Sequence, residues 1–403
     1  MMNIVVLCGS YDPKPSAVAI CAKNVVKALE DMGNEVTVMI PYDGFESPDK
    51  HVIRFSGKDN QKYHSGSRVW KFIIRAKRYA SALIHKHSIN KQLIQGYLKQ
   101  LTKKNEESKI DLIIPFSFPF ESIVAAVAFK RQSYGNVKIT PVIFDNYVDN
   151  PSLHRLRINM RLKRRGNIRL VDSLLSQCNK CFIIHSQRDF FEKNIPGLLP
   201  QIDFIEHPLL IPPIKEIKSD GNLLYSGSFL KGYVKSTELI KLLKIILPEI
   251  TAKIIFCVMG NDVKNVEQFA SENPSNVENR GQVPFQDAQE YIHRAGILFS
   301  VSEIAGIQIS SKVFNYMTTG KPIIQFYYDD NDVNIELLKK YPLKYCFKLR
   351  MDGKYSREEL NELVEFINAH RYTSIDFAKV IEMYPEASPL ILAKQLSKFS
   401  NGN

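Results

Sequence analysis

The feature of this chain that most constrains its fold is an alternation of short apolar runs with segments of helical periodicity. This alternation begins at the start of the chain and begins again in its second half. The first apolar run, NIVVLC at 3–8, is not interrupted by polar residues, and the helical text after it ends at Gly33. A second run, EVTVMI at 35–40, follows directly. An unalternating apolar strand, a helix and another strand predict a parallel sheet that is covered on both faces. Further strands are predicted at 111–118, 137–145 and 180–186, and a helix is predicted at 121–131.

The alternation stops at a proline-rich stretch and then begins again. Residues 206–221 read EHPLLIPPIKEIKSDG, which has no periodicity and indicates a linker. Strands are then predicted at 222–229, 252–260, 277–283 and 296–302, and helices at 236–247, at 287–294 and after Asp332. The sequence therefore predicts an α/β protein in which two doubly wound parallel-sheet (Rossmann-like) domains face each other across a cleft.

The length of 403 residues also favours two domains, because a single core seldom grows that large. We predict a first domain at 1–206, a linker at 207–220 and a second domain at 221–380. A C-terminal helix within 381–403 is placed to cross back to the first domain.

The composition indicates an anionic partner. Lys and Arg together number 54 against 42 Asp and Glu, which gives a formal net charge of +12. The start MMNIVVLC lacks the features of a signal peptide, and every long apolar run is broken by a charge or a proline. The six cysteines lie mostly in apolar text, as reduced thiols do. These observations predict a cytoplasmic protein without disulfides.

The stretch SSKVFNYMTTGKPIIQF at 310–326 reads as a short helix that ends at Gly320 and continues into a buried strand. Ser310 and Ser311 stand at the helix start, where free backbone N–H groups favour a phosphate. Val313, Phe314 and Met317 are predicted to face the core. The stretch is therefore a candidate for binding a nucleotide diphosphate.

The second half of the chain resembles the retaining glycosyltransferases of the GT-B fold, especially family 4. Four stretches carry the resemblance in order: LLYSGSF, AKIIFCVMG, NRGQVPFQDAQEYIHRAGILFSVS and SSKVFNYMTTGKPII. The first half matches more loosely, through 3–40. The resemblance implies transfer of a sugar from a UDP- or GDP-linked donor to an acceptor, with retention at the anomeric carbon and with no metal or other cofactor. The donor would lie on the second domain and the acceptor on the first.

The loop GSFLKGYVK at 227–235 is the first candidate donor site that the resemblance implies. Gly227 offers backbone to a departing diphosphate, and Lys231 and Lys235 are the candidate catalytic cations. The family usually has an arginine just after the glycine, and Ser228 stands in that place. Two solvated lysines at a helix start are the alternative interpretation.

Two further positions correspond to backbone that the family places against ribose and base. They are Gly260, at the end of a predicted strand, and Val283, in the loop GQVPF. Packing alone would also explain them.

The sequence departs from the family pattern at the two positions where the family usually has glutamates. Ile307 and Asn315 stand where the glutamates are usual. The Asn315 amide can still bind a ribose hydroxyl, and Glu303 is the candidate that replaces the missing carboxylate. The alternative is that Glu303 is a solvated loop residue.

On the acceptor side, FDNYVDN at 144–150 follows a predicted strand. Asp145 is the candidate that orients an acceptor hydroxyl or the donor sugar, with Asp149 as a second choice, unless the aspartate caps the next helix. Ser10, Asp12 and Ser16, in the loop after the first strand, are the candidate acceptor-side residues.

Three conspicuous motifs are interpreted as structural, and no metal site is predicted. CNKC at 178–181 has no second cysteine pair, DDND at 329–332 directly precedes a helix that Asp330 or Asp332 caps, and HKH at 85–87 lies in a basic helical segment.

Positive charge is concentrated at 68–104 and 155–169, where apolar residues are interleaved with Lys and Arg. These segments predict amphipathic helices on the acceptor domain that lie on an anionic membrane surface. Solvated basic helices are the alternative, and no nucleic-acid-binding module accompanies the charge.

The sequence therefore favours a cytoplasmic, peripherally membrane-associated, retaining glycosyltransferase that extends a glycan or a lipid-linked acceptor in bacterial surface polysaccharide synthesis. Two alternatives stay open. One is a GT-B-like nucleotide-sugar epimerase, and the other is an inactive glycosyltransferase-like subunit with an assembly or lipid-binding role.

Overall fold

The computed structural model describes residues 1–11, 16–42, 44, 51–56, 87, 89–132, 136–149, 161–213, 218–306 and 309–399. The chain forms two compact units. The first comprises Met1–Leu209 together with Glu386–Asn403, and the second comprises Leu210–Pro385.

The strands of the first unit are parallel wherever they pair. They are Asn3–Leu7 (β1), Glu35–Pro41 (β2), Val52–Phe55 (β3), Leu112–Pro115 (β4), Lys138–Ile139 (β5), Val142–Ile143 (β6), Cys181–Ile184 (β7) and Ile202–Ile205 (β8). One sheet has the order β3-β2-β1-β4-β5 and the other β6-β7-β8. A bridge between Phe116 and Val142 connects the two sheets.

The predicted strand at 137–145 is wrong as a single strand. The structure has two short strands there, β5 paired with β4 and β6 paired with β7. Pro141 lies between them and has no N–H to donate to a ladder, although its carbonyl accepts from the Phe182 N–H at 2.9 Å.

Helices of the first unit pack on its parallel sheets. They are Ala17–Asp31 (α1), Lys91–Glu107 (α2), Glu121–Arg131 (α3), Arg164–Leu175 (α4), Arg188–Asn194 (α5) and, from the end of the chain, Pro389–Lys398 (α13). The apolar face of α13 places Leu392, Ala393 and Leu396 in the same buried cluster as Val25 and Leu29 of α1. The chain thus ends in the unit in which it began.

The second unit has one fully parallel sheet. Its strands are Leu223–Phe229 (β9), Ile254–Gly260 (β10), Val277–Asn279 (β11), Ile297–Val301 (β12), Ile323–Tyr327 (β13) and Lys344–Lys348 (β14). The order is β11-β10-β9-β12-β13-β14. The chain moves outward from β9 to β11 and then returns to the other side of β9 with β12, so the strand order reverses between β9 and β12.

The helices of the second unit connect these strands and follow them. They are Thr237–Ile246 (α6), Lys264–Glu272 (α7), Phe285–Arg294 (α8), Ser311–Met317 (α9), Val333–Leu338 (α10), Arg357–His370 (α11) and Phe377–Met383 (α12). The core of this unit is rich in aromatic rings that contact one another, including those of Tyr225, Phe256 and Phe299. A sheet with helices on both faces and a reversal of strand order binds ligands at the carboxyl ends of its strands, beside the reversal.

The helix α9 begins, ends and packs as the sequence predicts. Val313, Phe314 and Met317 are fully buried, and Gly320 has φ of +66° directly after the helix. The predicted strand at 277–283 is shorter than expected, since it ends at Asn279 and Gly281 adopts φ of +63°.

The described parts of the two basic segments are helical. In α2, Tyr97 and Leu101 are buried, and in α4 the buried face includes Val171 and Leu174. The rest of 68–104 and the residues before 161 lie outside the described residues. Within the described part of the chain, no helix is both long enough and apolar enough to cross a membrane.

Candidate functional site

A lysine side chain lies against the glycine at the carboxyl end of β9. Lys312 is the second residue of α9, and its Nζ is 3.0 Å from the Oη of Tyr225. The same Nζ stands 4.6 Å from the centroid of the Tyr225 ring. A Cβ on Gly227 would collide with Cε and Nζ of Lys312. A side chain at 227 would therefore have to displace the end of the Lys312 side chain, and the φ of +154° at this position is itself strained for any residue with a Cβ.

The ammonium of Lys312 is partly buried and has no anionic partner among the described residues. Burial lowers the pKa of Lys312 to about 8. Burying a cation is unfavourable unless a counter-ion or a ligand compensates it, and such groups are concentrated at functional sites. This arrangement can bind an anion at the carboxyl edge of the sheet.

Tyr316 holds α9 against β9. Its Oη accepts a hydrogen bond from the Ser226 N–H at 3.1 Å and donates one to the Ser226 carbonyl at 3.3 Å. Both Tyr316 and Tyr225 are fully buried, and burial raises the pKa of each phenol, so both stay neutral donors. The position of Lys312 relative to Gly227 is therefore fixed by the packing of two rings.

The predicted cations of the 227–235 loop lie at the same edge of the sheet. The Lys231 side chain is exposed, and its backbone N–H donates to Asn261 Oδ1 at 2.8 Å, whereas Lys235 is half-buried. Ser228 is also half-buried, and its carbonyl accepts from the Tyr225 hydroxyl at 3.1 Å. The structure places no negatively charged partner on either lysine in the described part of the chain.

Glu303 lies beside this loop. The Ile304 N–H donates to the Tyr233 carbonyl at 3.1 Å, which brings the loop after β12 against the loop after β9. The pKa of the Tyr233 phenol is raised by burial and, secondarily, by the nearby Glu303 carboxylate. A carboxylate is thus present beside Tyr233, in the loop that carries the two predicted lysines.

The predicted role of Ser310 is only half supported by the structure. Ser310 occupies the N-cap position of α9, but its hydroxyl makes no capping hydrogen bond. Its backbone N–H donates to Asn334 Oδ1 at 2.8 Å, so this amide is already satisfied and is not open to a phosphate. Ser311, the first residue of the helix, is exposed.

Asn334 belongs to a buried polar cluster behind the site. Its Nδ2 donates to Asp332 Oδ1 at 2.9 Å and to Ser302 Oγ at 3.3 Å. Gln325 Nε2 donates to the same Ser302 hydroxyl at 2.8 Å. Asp332 also caps α10 by accepting from the Asn334 N–H, as the sequence predicts for the DDND motif.

Asn315 is half-buried and lies one helical turn after Lys312, so both side chains occupy one face of α9. In the described part of the chain its side-chain amide makes no hydrogen bond, although its carbonyl accepts from Thr318 Oγ1 at 2.6 Å. Ile307, the other position where a glutamate is usual, lies outside the described residues.

Gly260 and Val283, the two positions that the resemblance places against ribose and base, differ from each other in exposure. Gly260 has φ of +118° and is exposed, and a Cβ there would collide with the Phe229 carbonyl. It must therefore be glycine for β10 to approach the end of β9. Val283 is half-buried in the loop before α8.

In the first unit, Ser10 and Ser16 build the start of α1 at the carboxyl end of β1. Ser16 Oγ accepts from the Ala19 N–H at 3.2 Å, and Ser10 Oγ donates to Ser16 Oγ at 2.9 Å. Their hydroxyls therefore have a structural role in capping. Asp12 lies outside the described residues.

Asp145 follows β6 at the carboxyl edge of its sheet and is half-buried. In the turn that follows, Asn146 Oδ1 accepts from the Val148 and Asp149 N–H groups. Asp149 instead pairs with Arg164 through both carboxylate oxygens, at 2.9 and 3.0 Å.

The cysteines are free thiols, and Cys178 and Cys181 of the CNKC motif are buried. Their Sγ atoms lie near the carbonyls of Leu174 and Leu175. Within the described residues, no group of three or more His, Cys, Asp or Glu side chains could hold a metal ion.

The amino-acid sequence matches no known protein family and no curated protein. Solved structures match over nearly the whole chain. UDP-GlcNAc 2-epimerase from Methanocaldococcus jannaschii aligns with a TM-score of 0.56 at 11% identity, covering 98% of this chain and 100% of that one. The catalytic domain of starch synthase IV from Arabidopsis thaliana, bound to ADP and acarbose, aligns with a TM-score of 0.54 at 10% identity, covering 99% and 98%.

AviGT4, a glycosyltransferase of avilamycin A biosynthesis, aligns with a TM-score of 0.52 at 9% identity, covering 100% of this chain and 99% of that one. The chain has the GT-B fold. At these identities the GT-B likeness concerns the fold, with its two Rossmann-like domains, and leaves the activity to the residues of the site.

Lys312 is the residue of this GT-B chain that sequence reasoning missed. The signal was present, because Ser228 stands where the resemblance implies an arginine and a second cation is then needed elsewhere. Lys312 is 84 positions further along the chain, and only the fold brings its ammonium to Gly227.

Proposed function

We propose that this protein is a glycosyltransferase that moves a sugar from a nucleotide-sugar donor to a glycan or lipid-linked acceptor. The observation that carries the proposal is the ammonium of Lys312, which lies against Gly227 without a carboxylate partner among the described residues. It stands at the carboxyl edge of a parallel sheet beside the reversal of strand order. A donor diphosphate is the anion that would use such a site in this fold.

The chemistry needs a cation at this point. As the bond between the anomeric carbon and the diphosphate oxygen breaks, negative charge grows on the leaving phosphate, and a fixed ammonium stabilises it. Lys312 thereby takes the part of the missing arginine at Ser228, with Lys231 and Lys235 as additional cations around the loop. In front-face attack, the acceptor oxygen forms the new bond and its proton passes to the departing phosphate oxygen. Retention therefore needs no side-chain base.

Other candidate residues complete the donor site. Asn315, on the same helix face as Lys312, is suited to bind a ribose hydroxyl, and Glu303 supplies a carboxylate beside Tyr233. Gly260 exposes its backbone to solvent at the end of β10. Asp145 remains the candidate that orients the acceptor.

The donor and the biological setting follow from composition and resemblance. We propose a UDP- or GDP-linked donor used without a metal, a role in bacterial surface polysaccharide synthesis, and a cytoplasmic enzyme held at the inner face of an anionic membrane. The apolar faces of the described helices α2 and α4 pack on the core of the first unit, so these helices support the membrane proposal only through the charge of their outer Lys and Arg side chains. The protein should sediment with anionic vesicles at low salt and not with neutral ones, and failure to do so refutes this part alone.

Calorimetric titration with UDP, GDP, ADP and dTDP, each beside its nucleoside, tests the main proposal. We expect at least one diphosphate to bind more tightly than its nucleoside, and the difference should disappear in Lys312→Met. Absence of binding by every nucleotide at millimolar concentration would refute a donor site. The protein is then incubated with a panel of sugars linked to the nucleotide that binds. The nucleotide sugar that it hydrolyses identifies the donor sugar.

A nucleotide-sugar epimerase is the second candidate, and the likeness to UDP-GlcNAc 2-epimerase favours it. An epimerase would convert UDP-GlcNAc to a second UDP-sugar without an acceptor, whereas a transferase would release free nucleotide. Chromatography of the sugar nucleotides after incubation separates the two. An inactive assembly subunit would bind no nucleotide.

A further inference from the structure

We propose that Tyr225 is the positioning residue for the donor diphosphate, because its hydroxyl and ring together fix the ammonium of Lys312 over Gly227. This inference rests on the proposed function and adds to it a residue that needs no contact with the substrate.

The hydroxyl of Tyr225 is directed by two contacts. It donates its proton to the Ser228 carbonyl at 3.1 Å, and it lies 3.0 Å from Lys312 Nζ. A lysine ammonium has no acceptor, so the Nζ must be the donor and the phenol oxygen the acceptor in this second contact. The carbonyl of Ser228 thus orients a lone pair of Tyr225 toward Lys312.

The ring of Tyr225 adds a second restraint. The Nζ stands 4.6 Å from the ring centroid, which is within the range of a cation–π interaction. Stacking on Phe229, with centroids 4.5 Å apart, holds the ring in place, and the side chain has no exposed surface. The ammonium therefore rests against a buried ring that is packed on its neighbours.

A tyrosine that only fills the core would need no cation. The Ser228 carbonyl already satisfies its proton, and Phe256 and Phe299 supply its packing. The contact with Lys312 is additional, and it involves a charge that lacks an anionic partner in the described residues. A role in anion binding explains this contact. A lysine that is already ordered loses less conformational entropy when an anion binds.

The test uses the full chain and the pair of nucleoside and nucleoside diphosphate that the wild type binds, for example uridine and UDP. The measured quantity is the dissociation constant of the nucleoside divided by that of the nucleoside diphosphate. This ratio isolates the contribution of the diphosphate contact to binding. We expect Tyr225→Phe to reduce this ratio about tenfold to a hundredfold, the value of one hydrogen bond to a charged group, with nucleoside affinity unchanged. In a Lys312→Met background, Tyr225→Phe should have no further effect.

Tyr341→Phe is the matched control. Tyr341 is also fully buried, and its hydroxyl donates to the Lys321 carbonyl at 2.7 Å, before β13 and away from the carboxyl edge. It should lose comparable thermal stability and keep the wild-type ratio. An unchanged ratio in Tyr225→Phe, or a loss that persists in the Lys312→Met background, overturns the positioning role.

Gly227→Ala gives a second route to the same contact, should Tyr225→Phe not fold. The added Cβ displaces the Lys312 stem while Tyr225 stays intact, so the ratio should fall as it does in Lys312→Met. Gly353→Ala is its control, since Gly353 also has positive φ but an added Cβ there meets only Lys241 Cδ at 4.0 Å, an ordinary van der Waals contact. A wild-type ratio in Gly227→Ala overturns the inference. If the wild type itself shows no diphosphate preference, the proposed function fails instead.

Discussion

The Nζ of Lys312 is 3.0 Å from the Oη of Tyr225, and the two residues are joined across the space that a side chain at Gly227 would fill. Tyr225 in β9 and Lys312 at the start of α9 thereby fix one positive charge at the carboxyl edge of a parallel sheet. The absence of a Cβ at Gly227 leaves room for it. Each of the following predictions depends on this arrangement or on the elements that support it.

Affinity for a nucleoside diphosphate should fall as the pH rises through about 8. Burial lowers the pKa of Lys312 to about 8, so the amine is charged below that pH and loses its proton above it. Calorimetry between about pH 7 and pH 9.5, with the nucleoside as a reference for ionisation of the base, measures this. The dependence should be absent in Lys312→Met, and an equal slope in both proteins would assign it to another group.

Lys312→Met should raise the thermal midpoint at neutral pH. The pKa of the lysine is lowered on folding from 10.5 to about 8, so below pH 8 the folded state carries a buried charge that the unfolded state solvates. The penalty is at most about 3.5 kcal/mol, because one pKa unit corresponds to about 1.4 kcal/mol. It is fully present below about pH 8 and is relieved as the pH rises toward 10.5.

The stability gain is checked by calorimetric unfolding of Lys312→Met and of Lys241→Met, a control at an exposed lysine of α6. Only the first should gain stability at neutral pH. If Lys312→Met is less stable than the wild type, the ammonium is compensated within the protein and is not held for a ligand.

Asn334→Ala should destabilise the protein by about 2 to 3 kcal/mol, since it leaves the Ser310 N–H without its acceptor and removes the side-chain amide that donates to Asp332 and Ser302 in a buried cluster. Urea unfolding measures the change. Asn331→Ala, at an exposed residue just before α10, should have little effect. Because Asn334 fixes the residue before α9, nucleotide affinity should also weaken, and unchanged stability would contradict the role of this cluster.

Lys231→Ala and Lys235→Ala test the predicted cations of the loop. We expect sugar transfer to fall about tenfold for the half-buried Lys235 and less for the exposed Lys231, because solvent screens an exposed charge. The initial rate of nucleotide release measures this. Lys253→Ala, just before β10 at the opposite edge of the sheet, is the control. Wild-type rates in both variants would show that neither loop lysine contributes to transfer. Lys312 would then be the remaining candidate cation.

Much of the fold follows from local sequence, because strands and helices in this chain have strong periodic patterns. The strand at 222–229 and the helix at 121–131 were predictable for this reason. Short or polar strands were not, such as Val52–Phe55 and Lys344–Lys348, which become strands only by pairing with a neighbour. Propensity alone is weak at such edges.

The candidate site divides in the same way. Local sequence identified Gly227, the lysines of its loop and the helix at Ser311, since turn and cap residues act within a few positions. It did not show that Asn334 accepts from the Ser310 amide, or that Ser16 caps α1 while Ser10 is bonded to Ser16. Such hydrogen bonds depend on which partner arrives from elsewhere in the chain.

The sequence by itself determined the alternation of strands and helices, the restart after a proline-rich stretch and the surplus of positive charge. These are properties of local pattern and composition. Only the tertiary structure decided that Lys312 extends over Gly227 and rests on Tyr225, because parallel pairing of β9 beside β12 joins segments that are far apart in the chain. A charge acquires a function from its surroundings, and those surroundings exist only after folding.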